Sequence, residues 1–540
     1  MRKSVLYNFF LLCFVGQLFV QCTSKNDQAL SVQTTSKNDQ AMNVVFFLVD
    51  DLGWSDVGCY GSTFYETPNI DDFAEEGLRF TDAYAACHVC SPTRASILTG
   101  KYPASINLTD WLPGRKDFPF QKLKNVEINQ HLPYELITLP EVLKENGYNT
   151  AIIGKWHLGD ERASATLHGF DLQLPLWNKG WPNKGYYFPY EMEGLEEGKE
   201  GEYLTDRLTD EALKYLEINK ENPFFLYLSH FAVHDPIEGR KDLVEKYAGK
   251  LEKMSFSGEP FILEGNPDSE DALTLEERKE LIQKPKYGGY KIFEDGTVKI
   301  KQHQDNIEFA AMVESMDESF GRILGKLKDL GLDNNTLVVF YSDNGGMSAA
   351  NFYNPDRRIG AKNLDKAFAT SNLPLRGAKG WMYEGGIRVP LIIKNPKSTL
   401  SNTTCDVPVS SPDFYPTILD ILDIDVPVNV DGVSLKPLLE GEKHIGREAI
   451  YWHFPHYSNH GMQSPGGAIR MGDYKLLEYF ENGTVQLFNL KEDIGELHDL
   501  SSIEKEKAKE LLDNLHQWQN RIGAHMMPVN PNYDATAKYE

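Results

Sequence analysis

Five short apolar runs constrain this chain more than any other feature: residues 44–49 (Val-Val-Phe-Phe-Leu-Val), 150–153, 224–228, 337–341 and 389–393. Continuous apolar runs suit strands buried on both faces, and the segments between them carry helical periodicity. Strands alternating with helices predict a mostly parallel α/β sheet. Ligands of such sheets sit beyond the carboxyl ends of the strands. The residues at those ends are polar: Asp50-Asp51, Lys155-x-His157, His234 and Asp343-Asn344. Topology alone therefore predicts that they converge.

Helices are expected over 68–80 with Thr67 as cap, 139–146, 205–219, 306–330 and 411–422. Residues 237–305 are charged and punctuated by Gly and Pro, which suggests an insertion near the mouth of the site, where substrate choice is often made. From about residue 449 short alternating strands surround an Asn482-Gly483 turn, and 505–519 reads as a closing helix. The fold class is α/β, a large, mostly parallel central sheet flanked by helices, with a smaller C-terminal antiparallel sheet plus helix. Residues 43–445 form the larger part and 446–540 the smaller. Histidines 453, 456 and 460 fit a pocket edge or the surface equally.

Residues 90–100 (Cys-Ser-Pro-Thr-Arg-Ala-Ser-Ile-Leu-Thr-Gly) read as a short helix. Ser91 is a candidate N-cap, Pro92 suits the first turn and Gly100 the stop. Cys90 would sit at the helix's positive end, with Arg94 leaning back toward it. At 50–51, adjacent carboxylates at a strand end repel each other unless a cation lies between them. Taken singly, each motif also has a plain reading: a capped helix, a turn, a solvated face.

Together the motifs are similar to those of the sulfatases. Cys90-x-Pro92-x-Arg94 followed by Thr99-Gly100 resembles the signature of that family. So do Gly154-Lys155-Trp156-His157, His234 before x-Pro236, and the loop 375–390 with Lys379. The resemblance runs from about Asn43 to the C-terminus. It implies that Cys90 is converted to formylglycine, whose hydrate attacks sulfur. It implies a metal held by Asp50, Asp51, Asp343, Asn344 and one oxygen of modified Cys90. An all-oxygen set favours Ca²⁺, then Mg²⁺, over zinc. Arg94, Lys155 and Lys379 would neutralise the sulfuryl oxygens. His234 with Lys379 would protonate the departing sugar oxygen, and His157 would take a proton from the second hydroxyl. His230 reads as structural. Lys155, His234 and Lys379 would thus also bind substrate. The implied activity is hydrolysis of a sulfated carbohydrate, for example an algal polysaccharide such as ulvan. A formylglycine-generating enzyme is the implied maturation partner. The competing readings are a phosphate or phosphonate ester hydrolase of the same superfamily and a non-catalytic carbohydrate-binding relative.

A net charge of −24 argues against nucleic acid as a partner. Arg2 and Lys3 precede an apolar run to Val20, the pattern of an export signal over 1–22. Residues 18–22 loosely resemble a bacterial lipobox with Cys22 as the lipidated residue; a simple cleavable signal is the other reading. Residues 23–42 repeat Ser-Lys-Asn-Asp-Gln-Ala and read as a disordered tether. The expected location is therefore the bacterial periplasm or, through a lipid anchor on Cys22, the outer membrane.

Overall fold

The computed structural model describes residues 41–270, 272–293, 296–353 and 356–537. The stretch expected to be an export signal, Cys22 and the expected tether up to residue 40 lie outside the described residues. Among those described, no helix is long and apolar enough to cross a membrane.

An eight-stranded sheet organises the larger part. Its strands in chain order are β1 (Asn43–Val49), β2 (Leu78–Phe80), β3 (Asn149–Gly154), β4 (Leu172–Leu174), β5 (Phe224–Ser229), β6 (Thr336–Ser342), β7 (Leu391–Lys394) and β8 (Thr403–Cys405). They lie in the order β8-β2-β7-β6-β1-β5-β3-β4. Strand β7 pairs antiparallel with β2 and β6, and every other pairing in the sheet is parallel. The expected, mostly parallel sheet is thus present.

All of β1 is buried, and its pleat feeds two cores. Val45, Phe47 and Val49 pack with the helices Leu204–Asn219 and Ile307–Asp329 on one face. Val44, Phe46 and Leu48 pack with Leu139–Glu145 and Phe414–Ile421 on the other. Each such fully buried side chain contributes about 1.5–3 kcal/mol. This two-sided burial is why the run carries no polar residue.

Two expectations are corrected. The helix expected over 68–80 ends at Glu76; Gly77 breaks it, and Leu78–Phe80 joins the sheet instead. The helix at 90–100 is Cys90–Thr99 with Val89, not Ser91, at the N-cap, while Gly100 closes it in the left-handed region as expected. All ten helix residues are buried, so the helix has no solvent face to mark its start.

The smaller sheet is antiparallel: β9 (Ala449–Phe454), β10 (Gly466–Met471), β11 (Tyr474–Tyr479) and β12 (Val485–Asn489). The helix Lys505–Ile522 covers one face through Leu511, Leu515 and Trp518. Ile450, Trp452 and Leu477 on the other face pack against Tyr84, Trp381 and Tyr383.

Candidate active site

Strand register brings the site together. Val49 pairs with Ser342, Leu48 with Ser229, and Ser229 with Gly154. The residues following these strands therefore leave the sheet along one edge. Gly154 takes φ +111°, and a Cβ there would lie 1.8 Å from the Ser229 carbonyl oxygen. Only glycine permits that turn, which carries Lys155 inward.

Asp50, Asp51 and Asp343 are buried side by side, each answered by a cation. Lys155 Nζ lies 2.5 Å from Asp50, Lys379 Nζ 2.7 Å from Asp51, and Arg94 Nη2 2.8 Å from Asp343. Arg94 also donates from Nε to Asp343 at 2.9 Å and from Nη1 to the Lys155 carbonyl at 3.1 Å. Against burial, Lys379 and His234 hold the Asp51 carboxyl well below the usual range. Burial and neighbouring Asp343 push Asp50 well above it. Asp50 Oδ1 and Asn344 Oδ1 are buried with no hydrogen-bond partner, although Asn344 Nδ2 donates to Asp51 at 2.8 Å. Three close carboxylates, an orphaned amide oxygen and an orphaned carboxylate oxygen fit a hard divalent cation.

Cys90, the first residue of its helix, places Sγ 3.3 Å from His157 Nδ1. His157 Nε2 faces the Leu112 carbonyl at 2.9 Å. A carbonyl only accepts, so Nε2 carries the proton and Nδ1 presents its lone pair to position 90. Burial and Lys155 keep this imidazole neutral, well below its ordinary pKa. Ser91 is the tie: its Oγ donates to the His157 carbonyl (2.9 Å) and accepts from Leu112 N–H (3.1 Å). Its sequence reading as a helix cap gives way to this role.

His234 is held through Nδ1 by the Asp235 carbonyl (2.7 Å) and carboxylate (2.8 Å), with Nε2 3.7 Å from Asp51. Burial and Lys379 oppose its charge, but Asp51, Asp235 and Asp50 outweigh them and raise it to about 9. His230 instead packs on Phe47 and pairs with Ser319 Oγ at 2.9 Å.

A cavity of about 510 Å³ opens over these groups, lined by Cys90, His157, His234 and Lys379 and rimmed by Trp111, Trp181 and Tyr353. The structure thus brings together Asp50, Asp51, Cys90, Arg94, Lys155, His157, His234, Asp343, Asn344 and Lys379. Asp235, Ser229 and the Leu112 carbonyl were not anticipated; the Asp-Pro step after His234 was the one signal for Asp235. Asn459 and His460, from the segment between β9 and β10, also line the cavity.

Among the described residues lining the cavity none falls within 237–305, but Tyr290 of that stretch stacks on Phe352, next to Tyr353 at the rim. The hairpin of the same stretch (Phe261–Glu264 with Val298–Lys301) braces the site from behind. Buried Glu264 takes two hydrogen bonds of 2.9 Å from Arg376, three residues before Lys379.

A family model described as Sulfatase matches residues 42–424, and one described as N-sulphoglucosamine sulphohydrolase, C-terminal, matches 378–523. The chain belongs to the sulfatase family, and it is a hydrolase of sulfate esters. It is 27% identical to an N-acetylglucosamine-6-O-sulfatase of Bacteroides thetaiotaomicron, over 89% of this chain and 86% of that one. It is 28% identical to an ulvan-active sulfatase of Formosa agariphila, over 87% and 79%. A solved structure in complex with D-glucosamine-2-N,6-O-disulfate superposes with a TM-score of 0.63 at 25% identity, covering 90% of this chain and 98% of that one. The family generally uses a metal and formylglycine.

Proposed function

We propose that this chain is an exported sulfatase that removes sulfate from a carbohydrate, using formylglycine made from Cys90 and a Ca²⁺ ion. The single observation that carries the reading is the pairing of His157 Nδ1 with position 90, directly beside a neutralised carboxylate cluster. Formylglycine at 90 would supply a hydrated aldehyde as nucleophile. A cation held by Asp50, Asp51, Asp343 and Asn344 would supply Lewis acidity at that group.

The protein's own residues do the rest. His157 holds a bare Nδ1 ready to accept a proton from the group at position 90. His234, held through Nδ1 by Asp235, offers a proton to the departing sugar oxygen. Lys155, Lys379 and Arg94 balance the three carboxylates one for one. With a dication on the same oxygens the site would be net positive, and Lys155 and Lys379 would be available to an anionic ester despite the acidic net charge of the chain. Carbohydrate as substrate is supported by the named substrates of the relatives and by the aromatic rim, whose faces suit the apolar side of a sugar ring. Residues 43–445 carry the chemistry and 446–540 complete the wall.

Export rests on the basic-apolar start, with Cys22 either a lipid anchor or part of a cleaved signal. Maturation requires a formylglycine-generating partner. The test uses protein matured in a host with that partner. Mass analysis of the peptide holding Cys90 should show the aldehyde. Sulfate should be released from N-acetylglucosamine 6-sulfate or from ulvan oligosaccharides far faster than phosphate from 4-nitrophenyl phosphate. Faster phosphate release would favour the phosphoester reading, and an unmodified thiol in native protein the binding reading.

A further inference from the structure

His460 lines the cavity, is only 4% exposed, and has no hydrogen-bond partner at either ring nitrogen. A buried polar group left unpaired is costly, so such a ring calls for a partner from outside the chain. His88 shares the lack of partners, but it packs on the Phe454 ring at 4.2 Å and does not line the cavity. His453 and His456 are satisfied by the His525 carbonyl and by Thr109 Oγ1.

The main chain fixes His460 in place. It bridges to Asn351, and Gly461 N–H donates to the Ala350 carbonyl at 3.1 Å. Gly380, next to Lys379, sits at φ +87°, where a Cβ would come within 2.4 Å of the His460 carbonyl oxygen. The ring is therefore set beside Lys379. Burial and the Lys379 charge keep it neutral. A neutral imidazole offers one donor and one acceptor, which is the complement of a hydroxyl. A second sulfate would call for a cation. The amides beside it are already spoken for: Asn459 accepts from Trp111 Nε1 (3.0 Å) and donates to Asn351 (2.8 Å).

We propose that His460 is a specificity-determining residue that hydrogen-bonds a free hydroxyl of the sugar bearing the sulfate. The proposal rests on the sulfated-carbohydrate reading above. It extends that reading from a class of ester to a feature of the alcohol: the sugar must keep an unsulfated hydroxyl near the ester.

The test compares matured wild type with His460→Ala and His460→Gln. Substrates are N-acetylglucosamine 6-sulfate, galactose 6-sulfate, monodeoxy analogues of the better one, and 4-nitrophenyl sulfate, which has no sugar hydroxyl. His460→Ala should lower kcat/KM for the sugar ester about 100-fold, and at least about 30-fold more than for the aryl ester. One deoxy analogue should be poor for wild type yet cost the variant nothing further. His460→Gln, which keeps a donor and an acceptor, should recover part of the loss. Equal losses on both esters, or additive losses with every deoxy sugar, would overturn the proposal, as would failure of both variants to fold. Those results leave sugar turnover by wild type intact. Wild type that cleaves the aryl ester but no sugar sulfate would instead overturn the carbohydrate reading, and this proposal with it.

Discussion

Cys90 Sγ and His157 Nδ1 lie 3.3 Å apart, and the far nitrogen of the same ring is held by a carbonyl that can only accept. The tautomer is thereby fixed, and position 90 always faces a lone pair. His157→Ala should therefore reduce kcat by about 10²–10⁴. The fold should be retained, with a modest loss of stability because the Leu112 carbonyl loses its donor. Retention of more than a tenth of wild-type turnover would refute the assigned role.

Arg94 offers a second test. It spans Asp343, Ser229 and the Lys155 carbonyl with a planar fork, which an ammonium cannot reproduce. Arg94→Met should destabilise by about 3–5 kcal/mol, because it strands buried carboxylates. Arg94→Lys should recover part of the stability but little activity. Denaturant unfolding alongside sulfate release measures both; full rescue of activity by lysine would contradict the geometry.

Chelation probes the carboxylate cluster. With Ca²⁺ at about a hundred times its Kd, binding adds about 2.7 kcal/mol to the native state. EDTA should lower Tm and activity together, and Ca²⁺ should restore both. Asp343→Ala should abolish the Ca²⁺-dependent part of Tm. A Tm indifferent to the ion in wild type would remove the cation from the account.

The brace behind the site makes a pH prediction. Despite burial, Arg376 and Arg278 lower the Glu264 carboxyl from 4.5 to about 2. A depressed folded-state pKa stabilises above the unfolded value. That contribution, on the order of 3 kcal/mol, is present above pH 4.5 and is lost as pH falls toward 2. Glu264→Gln should be less stable at neutral pH and show a flatter stability slope across that acid window. Its kcat/KM should also fall, through the loop that carries Lys379. An unchanged slope would show that the pair is not coupled to folding.

The sequence foretold the site better than its surroundings. Asp50, Lys155, His234 and Asp343 were legible because each follows an apolar run, and parallel strands must end on a common edge. The reversal of β7 was not legible, since a run of apolar residues carries no direction. Nor was the true start of the Cys90 helix, where burial on every side erased the periodicity that would have marked it. Leu78–Phe80 looked helical because the preceding turns were, and only its pairing with β7 and β8 makes it a strand. Of the three histidines weighed between pocket edge and surface, His460 lines the cavity. Asn459 beside it was not legible, because it arrives through a connection between antiparallel strands that no local pattern encodes.

The Cys90 helix has one further implication, and it concerns timing. The thiol is 3% exposed, and every residue of the turn beneath it is buried. Under the proposed chemistry, an enzyme converting Cys90 would find that sulfur covered once the helix has packed. Burial of this kind favours conversion before the fold closes. A molecule that closed first would then keep its thiol until it opened again.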